Sequence, residues 1–102
     1  MNSIMYKPLP DELTIKKSPI SGLGLFACKA IPAGSDLGIT HILNHDIYMH
    51  IIRTPLGGFI NHSETPNCII EKEEDIWYLE TTDDIIDTEE LTVRYFPEFL
   101  NF

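Results

Sequence analysis

The sequence predicts one mostly-β domain. Short apolar runs of four or five residues recur along the chain, and Gly, Pro and Asp turns separate them. The stretch most open to a helical reading, residues 41–53, keeps no clean helical stripe. At 102 residues, 43% of them hydrophobic, the chain suits a single folded domain rather than a disordered segment.

Taken in order, Leu13-Thr14-Ile15-Lys16 reads as a short strand. The following Ser18-Pro19-Ile20-Ser21-Gly22-Leu23-Gly24 is a turn-rich loop. Leu25-Phe26-Ala27-Cys28 reads as a buried strand, Ile31-Pro32-Ala33-Gly34 as a turn, and residues 36–40 as another strand. In residues 41–53, Ile47, Met49 and Ile51 alternate as in a strand, but Ile42, Asp46 and Met49 set no helical face. A short helix or an irregular insert is expected there. Cys68-Ile69-Ile70-Glu71 and Ile76-Trp77-Tyr78-Leu79-Glu80 flank a polar Lys72-Glu73-Glu74-Asp75, which is a hairpin signature. Leu91-Thr92-Val93-Arg94-Tyr95 reads as the final strand, and a tail with Phe96, Phe99 and Phe102 follows.

Sixteen acids against seven Lys and Arg give a net charge of −9. That disfavours binding to nucleic-acid backbones, which needs basic patches, and favours a basic partner drawn in by the protein's field. No apolar run approaches the ~20 residues that span a bilayer. The first ten residues lack the basic start and apolar core of a signal peptide, so a soluble intracellular protein is expected, cytoplasmic or nuclear in a eukaryotic host. Cys28 and Cys68 lie far apart without a C-x-x-C pair and are expected to be buried free thiols. His41, His45 and His50 lack the compact set of three or four ligands that zinc requires, so no metal is expected.

Three segments carry the chemistry. Ser21-Gly22-Leu23-Gly24-Leu25-Phe26-Ala27 holds a Gly-x-Gly that lets backbone approach a ligand closely. It is no dinucleotide fingerprint, because the third glycine is missing and a strand follows. Phe59-Ile60-Asn61-His62-Ser63 passes straight from an apolar run to amide and imidazole groups, and the segment closes on Pro66-Asn67-Cys68. Asp87-Thr88-Glu89-Glu90-Leu91-Thr92-Val93-Arg94-Tyr95 ends a buried strand on a Tyr after an acidic turn.

Together with the Ile31 to Gly34 turn, and in this order, these segments resemble those of the SET-domain protein lysine methyltransferases, most nearly the minimal viral and bacterial proteins made of the bare domain. Lys16-Lys17-Ser18-Pro19 also matches their opening. The resemblance spans residues 13–96 of a single domain, 1–102, with the Phe-rich tail at 96–102. It implies a β-clip fold of small curved sheets with a C-terminal pseudoknot and little helix. It implies S-adenosylmethionine as cofactor, held by Gly22, Leu23, Gly24, Asn61, His62 and Tyr95, with Tyr95 as the catalytic residue. A basic, lysine-bearing protein such as a histone tail would be the substrate, without direct nucleic-acid or membrane binding.

The chain departs from the family in places. No Cys-rich module of the kind that flanks many SET domains is expected from Cys28 and Cys68 alone, and Phe96, Phe99 and Phe102 are expected either to wall the lysine channel or to form a dimer patch. Val93, expected to line the substrate channel, stands two residues before the Tyr, where many relatives carry Phe or Tyr. Thr88 replaces the glycine of the Gly-Glu-Glu turn, a change expected to be mild. Tyr48 and Tyr78 either line the channel or pack the core. Two other readings stay open: a non-catalytic module that binds cofactor or peptide, and a structural dimer subunit.

Overall fold

The computed structural model describes residues 8–45 and 50–95. Two four-stranded sheets make up the domain. The first has the order β1-β2-β8-β5, from β1 (Leu13–Lys17), β2 (Leu23–Ala27), β8 (Glu90–Val93) and β5 (Asn61–His62). The second has the order β4-β3-β7-β6, from β4 (His50–Arg53), β3 (Asp36–Asn44), β7 (Ile76–Thr81) and β6 (Cys68–Glu73). The one described helix is the single turn α1 (Pro55–Gly58).

The fold follows from where the apolar residues point. Leu25 of β2 pairs with Leu91 of β8, and both are fully buried. Leu79 of β7 and Cys68 of β6 face them from the second sheet within one core cluster. Ile31 and Ile85 exchange backbone hydrogen bonds at 2.8 Å each way and pin the connecting loops beneath that core. Along β7 the alternate residues Trp77, Leu79 and Thr81 are buried, the period of a half-buried strand. The expected hairpin is present and longer than expected. Its strands run to Glu73 and restart at Ile76, and Glu74 turns the corner at a φ of 57°.

The expectation for residues 41–53 is corrected. His41, Ile42, Leu43 and Asn44 pair with Arg53, Ile52, Ile51 and His50, so both flanks are antiparallel strand. The reason for the misreading lies in β3, whose pairing with β7 shifts register between Asp36 and Gly38 and again between Ile39 and His41. Such irregularities break the two-residue period, and the consecutive Thr40 and His41 are both buried. The helix comes later. Thr54 caps it by accepting from Gly57 N–H at 3.3 Å and donates its own hydroxyl to the Ile39 carbonyl at 2.7 Å, with Pro55 at the first helical position. A Cβ on Gly57 would overlap the Thr40 carbonyl oxygen, so glycine is what lets this turn rest on β3.

Two further expectations change. Cys68 is buried as expected, but Cys28 is exposed. Thr88 takes a φ of 73°, the left-handed region that a β-branched residue adopts only at a cost, so its replacement of glycine is a strained one.

Candidate active site

Asn61 and His62 form a two-residue strand that runs parallel to β8, with Asn61 opposite Thr92 and His62 opposite Val93. The Ser63 N–H extends the pairing to the Val93 carbonyl at 2.9 Å. The buried Ile60 anchors this strand in the core, so the next two side chains are held at the edge of the sheet.

Asn61 ties the first loop to the last strand. Its Nδ2 faces Ser18 Oγ at 3.1 Å, the Ser21 and Leu23 carbonyls at 3.2 Å each, and Glu90 Oε2 at 2.8 Å. The Ser18 hydroxyl donates to the Glu90 carboxylate, 2.9 and 2.8 Å from its two oxygens, and accepts from Ile20 N–H at 2.9 Å. Ser18 N–H reaches the Gly22 carbonyl at 2.8 Å, and Gly22 closes the turn at a φ of 45°. A Cβ on Gly24 would overlap Glu90 Oε2 and press on Asn61 Nδ2. Gly22, Leu23, Gly24 and Asn61 therefore meet in one cradle, packed so closely at Gly24 that no side chain fits there. The hydrogen bonds of Asn61 to the cradle all run through Nδ2, leaving its Oδ1 to accept from a ligand or water. These residues fit a small ligand with both donor and acceptor groups, as the expected cofactor has.

Tyr95 lies just past β8. Its hydroxyl donates to the Ile60 carbonyl at 2.8 Å, and its N–H donates to His62 Nδ1 at 3.1 Å. The two rings stack with centroids 5.8 Å apart at 26°. Because His62 Nδ1 accepts, its proton sits on Nε2 and points to Glu64 Oε2 at 2.5 Å. That hydrogen bond, helped by Arg94 at 3.5 Å, holds the Glu64 carboxyl below its ordinary value. Burial pushes the Tyr95 phenol above its ordinary value, against a smaller opposing effect of Arg53. Tyr95 thus stays a neutral hydroxyl across the physiological range, with its proton directed to Ile60.

The remaining expected site residues do not join the cradle where the structure describes them. Val93 is 1% exposed and belongs to the core. Tyr78 lies on the second sheet in a groove of about 450 Å3 where Asp36, Glu71, Glu73 and Glu80 outnumber the single cation Lys72; none of the cradle residues lines it. Tyr48, Phe96, Phe99 and Phe102 lie outside the described residues. Among the described residues no group of three His, Cys, Asp or Glu is placed to hold a metal ion, and no described helix is long and apolar enough to cross a membrane.

Two contributors escaped the sequence reading. Glu90 enters the cradle from what looked like a solvated acidic turn. Asn67, only 8% exposed, acts as a prosthetic strand for β8: its Oδ1 accepts from Thr92 N–H at 2.9 Å, and its Nδ2 donates to the Glu90 carbonyl at 2.9 Å and to Glu89 Oε2 at 3.2 Å. An Asn between Pro and a core strand was the available signal, because a buried amide must find partners.

Comparison with known proteins agrees with this geometry. The SET domain family model matches residues 40–96. No curated protein sequence matches the chain. Among solved structures, a Plasmodium falciparum protein assigned as a histone methyltransferase superposes with a TM-score of 0.68 at 20% identity, over 90% of this chain and 99% of that one. The methyltransferase domain of human PR domain-containing protein 2 gives 0.69 at 19% identity, over 86% and 79%. At these identities the structures speak for the fold, and the family model, which covers more than half of the sequence, speaks for descent. A late strand inserted between β2 and a parallel Asn-His strand, with a Tyr at its end, is accordingly the centre of a chain that belongs to the SET-domain family of protein methyltransferases.

Proposed function

We propose that the protein is an S-adenosylmethionine-dependent protein-lysine N-methyltransferase that acts on a basic segment of another protein, with a histone tail as the leading candidate. The observation that carries this reading is the joint placement of the cradle and the Tyr95 hydroxyl on adjoining strands. One short parallel pairing, Asn61-His62 against Thr92-Val93, holds both. The position of β8 between β2 and β5 also supports the expected pseudoknot threading of the C-terminal segment.

The backbone of Gly22, Leu23 and Gly24, the Asn61 side chain and the His62 backbone would hold the cofactor. When bound, the cofactor supplies a methyl group on a positively charged sulfur. A free lysine has a pKa of about 10.4 and must shed a proton before it can attack. An apolar channel and a nearby cation both favour the neutral amine, so no strong base is required of the protein. Its larger task is to orient the amine in line with the departing group. Tyr95 suits that task. With its proton directed to Ile60, its oxygen serves as an acceptor for an amine N–H or a polarised methyl C–H. The elevated phenol pKa keeps that oxygen neutral and its proton in place. The net charge of −9 and the acidic groove around Tyr78 favour a basic substrate.

The test is transfer of label from radiolabelled S-adenosylmethionine to core histones and a panel of basic proteins, with wild type beside Tyr95→Phe. Label on lysine that falls by two orders of magnitude or more in the variant is expected, the scale of losing an oriented polar group at a reacting centre (~100-fold). A wild type that binds the cofactor and labels none of these proteins would favour the binding-module reading.

A further inference from the structure

Around Asn61 the cradle holds more acceptors than hydrogens to fill them. Asn61 Nδ2 carries two hydrogens and Ser18 Oγ one. Around them lie the Ser21 and Leu23 carbonyls, Ser18 Oγ and both oxygens of Glu90. Ser18 Oγ already accepts from Ile20 N–H at 2.9 Å, so the two carbonyls and Glu90 Oε2 remain as three acceptors for the two Asn61 hydrogens. One of them is a carboxylate oxygen at 2.8 Å, so the surplus is negatively charged. Glu90 reaches this place because it pairs with Phe26 at the start of β8 and lies over the space where Gly24 lacks a side chain. A structural tie between loop and strand would need only a neutral amide or hydroxyl. A half-buried carboxylate among backbone carbonyls fits a ligand that brings N–H donors and positive charge.

On the reading that the cradle binds S-adenosylmethionine, we infer that Glu90 recognises the α-ammonium of the cofactor's amino-acid end and so selects for ligands that carry it. The cofactor has two cationic centres. A sulfonium has no hydrogen to donate and cannot satisfy surplus acceptors; a primary ammonium has three. Glu90 is therefore a specificity-determining residue, distinct from Tyr95, which serves the transferred methyl.

Calorimetric titration tests this with three ligands: S-adenosylmethionine, S-adenosylhomocysteine, which lacks the sulfonium charge, and the deaminated analogue of S-adenosylhomocysteine, which lacks the ammonium as well. Glu90→Gln should weaken the first two about tenfold or more, the scale of a hydrogen bond to a charged group, and leave the third within about twofold. Equal weakening of all three would make Glu90 a loop tie only and overturn the inference. Weakening of S-adenosylmethionine alone would assign Glu90 to the sulfonium and also overturn it, as would no change. A wild type that binds none of the three would remove the proposed function and the inference together, whereas binding by wild type without selective loss in the variant removes the inference alone. Should Glu90→Gln melt before titration, Glu90→Asp keeps the charge but withdraws it by one methylene. The same selective loss supports the inference there, and a uniform loss or none rejects it.

Discussion

The Tyr95 hydroxyl and the Ile60 carbonyl, 2.8 Å apart, join the residue after the last strand to the residue just before the Asn-His pair. This bond sets the direction of the phenol, and it also gives the Ile60 carbonyl a partner in a buried stretch of chain.

Tyr95→Phe should therefore cost stability as well as activity. With the hydroxyl gone, the Ile60 carbonyl loses that donor at a residue only 3% exposed, for a loss of about 1 kcal/mol. A domain of this size should then melt roughly 4–8 °C lower. Differential scanning calorimetry checks this, and transfer assays on the variant belong well below its shifted midpoint. An unchanged melting temperature would show that the bond contributes nothing net.

Asn67 should be less replaceable than its place in a loop implies. Asn67→Ala removes two side-chain bonds to the backbone of β8 and leaves the Thr92 N–H without its acceptor, for roughly 2–4 kcal/mol. Asn67→Asp keeps the acceptor but sets a carboxylate against the Glu90 carbonyl and near Glu89 Oε2. It should be nearly as damaging at pH 7 and should recover in part as the pH falls toward 4. Urea unfolding at the two pH values distinguishes the variants.

Thr88→Gly should stabilise the protein. Thr88 is exposed and sits at a φ of 73°, where glycine carries no Cβ penalty. A gain of about 1 kcal/mol is expected, the left-handed penalty of an L-residue less the extra chain entropy of glycine. A loss on the same urea curves would mean that the Thr side chain makes a contact worth more than its strain.

His41 should make the fold acid-sensitive. Its imidazole is buried, its Nδ1 lies 2.9 Å from Thr40 Oγ1, and the Thr40 hydroxyl donates to the Trp77 carbonyl at 3.2 Å. Burial first, and Arg53 second, push its pKa from 6.5 down to about 4. Between those values the unfolded chain binds the proton that the folded one refuses, so stability rises with pH across the window. The contribution is intact above about 6.5 and is lost as pH falls toward 4, by up to about 3 kcal/mol. His41→Gln should flatten that part of the pH profile in unfolding measurements between pH 7 and 4.5. A profile as steep as that of wild type would assign the acid sensitivity to carboxylates instead.

Much of this protein was legible in its residues because its signals are local. The hairpin from Cys68 to Thr81 announces itself by two apolar runs around a charged turn, and the Asn-His pair by its abrupt change of polarity. What escaped was set by tertiary context. Register shifts in β3 buried two consecutive residues and hid a strand pair. Thr54-Pro55 carried a helix-start signal, but a helix of one turn has no periodicity to confirm it. Val93, expected near the substrate, points into the core, because strand alternation beside the buried Leu91 places it on the inner face. The place of Glu90 in the cradle became visible only when strands distant in sequence met.

That meeting has a kinetic side. Ser18 and Glu90 touch although 72 positions apart in the sequence, and β8 lies between β2 and β5 in the finished sheet. Contacts of such separation form late, since the chain must close a long loop before any of them rewards it. The hairpins can zip early and alone, whereas the cradle has no existence until the final strand slots home. Ligand capture during refolding would then act as a clock for that last closure, lagging behind the burial of Trp77 rather than keeping pace with it.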